Sequence, residues 1–171
     1  GKLVFFCRFL SYPSRYGIYL AMHVPLAAVG AFGFARLIGA RKTGATLAAF
    51  AYPFGGVVLF QVTNVIYLVS AAWFPWAMIC ILQMVETKHL KWAVGLAMVC
   101  AMMILGGDPQ MVYHVGLISA VTLGVRCFQT QKSPDLERRL GWWRALILMA
   151  VLVAITSVLS AIQLLPTMEW S

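Results

Sequence analysis

Apolar residues run almost without interruption along this chain, and polar residues arrive in short clusters between the runs. Several runs approach the roughly 20 apolar residues that carry a helix across a hydrocarbon core about 30 Å thick. The pattern predicts spans near residues 16–35, 43–60, 65–85, 92–105, 111–125 and 143–162, each bounded by charge, Gly, Pro or amide residues. The expected fold is all-α, a polytopic transmembrane helical bundle of about six spans that forms one domain over 16–171. Residues 1–15 hold FFCRFLSYPSRYG, amphipathic, aromatic and too short to span; they are expected to lie as an interfacial segment on the outer surface.

Composition agrees. The chain is 62% hydrophobic and 11% charged over 171 residues, with a mean hydropathy of +0.87. Soluble domains are roughly 45–50% apolar, and a globule of this length could not hide the excess from water. Cys7, Cys80, Cys100 and Cys127 show no CxxC or Cys/His spacing, so no disulfide or metal site is expected of them. The chain opens on Gly without a signal-peptide pattern and stops at LLPTMEWS without a polar tail, as expected of an interior fragment of a longer protein.

The net charge of +8 raises the question of nucleic acid, but its distribution has a simpler reading. Ten of the thirteen Lys and Arg residues fall in alternate loops: Arg36, Arg41 and Lys42, then Lys88 and Lys91, then Arg126, Lys132, Arg138, Arg139 and Arg144. The intervening loops QVTN (61–64), GGDPQ (106–110) and QLLPTMEWS (163–171) carry none. Under the positive-inside rule the first set is cytoplasmic, both ends of the chain are extracytoplasmic, and nucleic acid is not an expected partner. The cytoplasmic loop TQKSPDLERR leads into Trp142 and Trp143, an aromatic belt.

No Asp, Glu, Lys or Arg lies deep within a span, which argues against a proton pump or ion-coupled carrier. His23 stands nearest to an exception. It sits just before Pro25 in AMHVP, either bonded to a backbone carbonyl at a kink or facing a pore.

The GGDPQ stretch joins two short predicted spans, about 21 and 22 Å at 1.5 Å per residue. Either their helices borrow length from the cytoplasmic side, or the connection dips into the outer leaflet and packs against protein or a cavity. Gly106 or Gly107 can end a helix in the left-handed conformation, Asp108 can cap the next one, and Pro109 suits its first position. The same residues also suit a site, because glycines let a ligand approach the backbone and a helix N-terminus attracts phosphate. Gln110 and His114, four apart, would share a face with it. Gln61 and Asn64 in QVTN and Gln163 and Glu169 in the last loop add amides and a carboxylate on the same side. Such a mouth suits sugar hydroxyls or a metal-bound phosphate; a bare anion would need Arg8 or Arg15.

The order GATLAAFAYPFGG, NVIYLVSAAWFPWA, GGDPQMVYHVGL and AIQLLPTMEWS resembles the YfhO-like family of large bacterial multi-spanning membrane proteins, within the GT-C glycosyltransferase superfamily. The likeness covers residues 16–171 and is most specific in GGDPQ and in QLLP with the following Glu. Where many members carry a GHPQ-like motif, this chain has Asp108. The resemblance implies an inner-membrane enzyme that transfers sugar from a polyprenyl-phosphate donor at the outer face. It also implies a divalent metal balancing the donor phosphate and a catalytic acid in a loop before Gly1. Asp108, Gln110, Gln163 and Glu169 would then hold substrate. A transporter or flippase for a lipid-linked or polar solute, and a structural subunit of a membrane complex, are the alternatives.

Overall fold

The computed structural model describes residues 12–131 and 141–169, the side chains of 12–16, 57, 62, 130, 131 and 162–169 excepted. Most of the segment read as interfacial, and the loop 132–140, lie outside the described residues. Every described element is helical: α1 (Tyr12–Leu37), α2 (Lys42–Ala51), α3 (Gly56–Leu59), a 3-10 turn (Phe60–Thr63), α4 (Val65–Thr87), α5 (Leu90–Leu105), α6 (Pro109–Gln131) and α7 (Trp142–Glu169). Four stretches, Gly17–Leu37, Val65–Thr87, Pro109–Gln129 and Trp142–Ala161, are long and apolar enough to cross a membrane. Their outward faces carry Leu117, Val121, Val153 and Val158, each more than half exposed. Such surface is costly in water and at home in lipid, so the fold is that of a multi-pass membrane protein.

Local sequence sets the helix ends. Gly39 (φ +96°) follows α1 in the left-handed region, while Gly39 N–H donates to Arg36 O and Ala40 N–H to Ala35 O. This pair of bonds satisfies carbonyls that a helix end would otherwise leave bare. α4 ends at Lys88, which takes φ +57° without being glycine.

Small residues set the spacing between helices. α1 packs on α4 through Ala27, Ala31 and Ala35, all buried. A Cβ on Gly30 would stand 2.7 Å from Trp76 Nε1, and that indole donates to Leu26 O at 3.1 Å. In lipid, close approach of this kind replaces the hydrophobic drive that operates in water. α4 in turn packs on α5, and α5 on α7, around Leu96, Met103, Leu148 and Leu152.

The stretch expected to form a second span, 43–60, is not one helix. α2 stops after ten residues, because Pro53 has no N–H for the helical ladder and Gly55 follows with its Cβ position 2.9 Å from Ala51 O. α5, at 16 residues, is also shorter than a full span, whereas α6 reaches 23 by borrowing from its far flank.

The break has a partner. Pro75 interrupts α4 and leaves Ala71 O without its usual donor four residues on. The Tyr52 hydroxyl, at the end of α2, donates to Ala71 O at 2.8 Å. Irregular backbone at membrane depth is tolerated where protein re-satisfies the freed group.

Candidate functional site

Helix direction sorts the polar loops to two ends of the bundle. α1 and α4 run parallel: the bond from Trp76 to Leu26 lies nearer their start than the approach of Gly33 to Ile79. Leu82, Val85 and Glu86 of α4 share a cleft with Val121, Val125 and Arg126 of α6. Phe128 of α6 meets Trp142 of α7 edge-on at 5.2 Å. One end of the bundle therefore gathers Arg36, Arg41, Lys42, Lys88, Lys91, Arg126 and Arg144.

At the opposite end the start of α4 lies against the α5–α6 turn. A Cβ on Gly106 would fall 2.7 Å from Val69 Cγ1, and one on Gly107 would fall 3.4 Å from Ile66 Cγ1. The turn before α4, with Gln61 and Asn64, thus sits beside GGDPQ. No basic side chain accompanies them among the described residues of these two loops.

The α5–α6 turn itself is fully resolved into bonds. Gly107 (φ +97°) takes the left-handed conformation, its N–H donates to Ile104 O, and Asp108 N–H donates to Met103 O. Asp108 then begins the next helix, its Oδ1 accepting from Met111 N–H at 3.0 Å, with Pro109 as the first helical residue. One residue closes α5 and opens α6. Asp108 is only 3% exposed, and its carboxylate bonds within the turn.

Asn64 makes the contrast. It occupies the capping position of α4 yet forms no side-chain capping bond, and it is exposed. Gln110 and His114 are exposed on α6, and Gln61 is half-buried. His114 Nδ1 lies 2.7 Å from Gln110 O. A carbonyl only accepts, so Nδ1 carries a proton, and in the neutral ring Nε2 is the acceptor. Gln163 and Glu169 belong to α7 by backbone, but their side chains lie outside the described residues. Of the seven candidate residues, the structure brings five to one end: Gln61, Asn64, Asp108, Gln110 and His114.

Among the described residues no group of three or more His, Cys, Asp or Glu side chains comes together.

His23 was legible in the sequence only as an alternative between a kink and a pore. Its Nδ1 lies 2.7 Å from Tyr19 O, and its ring meets the Tyr19 ring at 4.5 Å. It also lines a crevice of about 760 Å³ between α1, α4 and α5 that ends at Gly106. Tyr52 was missed as a functional partner of α4; its only sequence signal is Pro75, which announces a freed carbonyl without naming the donor. Compared with family models, curated proteins and solved structures, the chain matches none of them.

Proposed function

We propose that this chain is a membrane-embedded part of a bacterial inner-membrane protein of the glycosyltransferase type, acting on a polyprenyl-phosphate-linked sugar at the extracytoplasmic face. Its uncharged polar end holds the sugar, and its basic end is cytoplasmic under the positive-inside rule. The reading is carried by one observation: Gln61, Asn64, Gln110 and His114 share an end of the bundle, with Asn64 free of any capping bond and Gln110 and His114 exposed. Amides both donate and accept, and the His114 Nε2 accepts, which suits a ring of hydroxyls. Asp108 positions α6 and does not touch the sugar. None of these residues is assigned as the catalytic acid.

The test is binding. The purified chain in lipid nanodiscs is offered a polyprenyl-phosphate hexose and the bare polyprenyl phosphate, with bound lipid counted by native mass spectrometry. The expected result is tighter binding of the hexose form, with Asn64→Ala and Gln110→Ala each cutting that preference about threefold to tenfold, as loss of a hydrogen bond would. Equal binding of the two lipids would overturn the sugar reading.

A further inference from the structure

We infer that the crevice between α1, α4 and α5 binds a membrane amphiphile that carries a neutral hydroxyl, held by a hydrogen bond to His23 Nε2. Nothing in this inference rests on the sugar-transfer reading.

The crevice has the size of a ligand site, about 760 Å³, within the roughly 300–1,000 Å³ range of small-molecule pockets. Its rim is apolar: Met22, Val29, Met102 and Leu105 are all exposed there. Met22, Val29 and the wall residues Val69, Trp73 and Trp76 belong to stretches apolar enough to cross a membrane. A ligand entering past them arrives from lipid rather than from water. Among the described residues no Asp, Glu, Lys or Arg lines the space, so a charged headgroup would lose its hydration with no opposite charge from them to replace it.

One polar group has a defined demand. His23 is 9% exposed, and its Nδ1 is fixed as a donor by the 2.7 Å contact with Tyr19 O. In the neutral ring, Nε2 is then an acceptor, and among the described residues it has no hydrogen bond of its own. Of the other polar side chains that line it, Trp76 Nε1 is already engaged with Leu26 O, while the Tyr19 hydroxyl and the Trp73 indole also border the space. His23 therefore asks for a donor on a largely apolar body, which an alcohol-bearing lipid supplies and an ester or ether does not.

The experiment uses the chain in nanodiscs and a diacylglycerol with brominated acyl chains, read by quenching of tryptophan fluorescence, since Trp73 and Trp76 line the crevice. The comparison ligand is the same lipid with its free hydroxyl methylated. The hydroxyl form is expected to bind about tenfold more tightly, the value of one hydrogen bond in a site built for it. His23→Phe is expected to reduce that ratio to within about twofold. Leu146→Phe, on an exposed face of α7 away from the crevice, is expected to leave it intact. Equal binding of alcohol and ether by the wild-type chain would mean that acyl chains alone fill the crevice, and would overturn the inference. So would a ratio that survives His23→Phe. The wild-type ratio decides the matter even if the His23 variant does not fold.

Discussion

The two ends of this bundle reverse the chain between the same kinds of helix by different means. At the basic end, α4 passes to α5 through Lys88 and His89, with Lys88 in a left-handed conformation that glycine would adopt more easily and His89 making no capping bond from its side chain. At the other end, α5 passes to α6 through Gly106, Gly107 and a buried, capping Asp108. The difference lies in what each turn touches. Lys88 takes the left-handed conformation with a side chain in place, and the turn tolerates that local strain. Gly106 stands where any Cβ would meet Val69, so the turn is shaped by packing on α4 as much as by its own conformation. A turn that fixes the approach of two helices has no freedom in residue type, whereas one that only reverses the chain does.

The sharpest test of this comparison is sidedness. With Cys7 replaced by serine, Asn64→Cys and Lys88→Cys are expected to react with a membrane-impermeant maleimide from opposite faces, Asn64→Cys in intact cells and Lys88→Cys only after permeabilisation. Labelling of both from one side would break the assignment of the ends. Cys80, Cys100 and Cys127 are buried and give little background.

Gly106→Val comes next, with an expected loss of about 1–3 kcal/mol, because the added carbons force α5 away from α4. Equilibrium unfolding in detergent mixtures measures it. Val69→Ala in the same chain should return part of the loss, since Val69 is the side chain in the way. No rescue would mean that contacts other than Val69, such as Met103 O, exclude the added carbons.

Asp108→Ala should cost about 1 kcal/mol by removing the cap, while Asp108→Asn should stay within about 0.5 kcal/mol because asparagine caps equally well. If Asp108→Asn keeps its stability yet loses hexose-lipid binding, the charge itself has a chemical role and the positional assignment fails.

The smallest effect is expected at the basic end. Lys88→Gly should stabilise by about 0.5 kcal/mol, the relief of a left-handed non-glycine residue less the entropy of glycine. A loss instead would show that the interaction Lys88 makes is worth more than its strain.

How far the sequence reaches varies by residue. The Gly107 turn and the Asp108 cap were readable because they are exchanges among neighbours, within five residues of one another. So was the second, broken stretch in principle, since Pro53 and Gly55 stand in plain view; the long apolar run over 43–60 outweighed them in the reading. Asp108 as a substrate carboxylate and Asp108 as a cap are equally legible in the sequence, and the structure shows the cap.

What the sequence by itself determined is the membrane class, the helical content, the ends of most helices and the segregation of basic loops. These follow from composition and from contacts of short sequence separation. Which helix faces meet was decided only in three dimensions. In lipid both the buried and the outward sides of a helix are apolar, so no periodic polar stripe marks the face that packs. Hence the Tyr52 hydroxyl on Ala71, the nearness of Asn64 to the Gly107 turn, and the joining of His23 and Gly106 in one crevice required the tertiary structure to be seen.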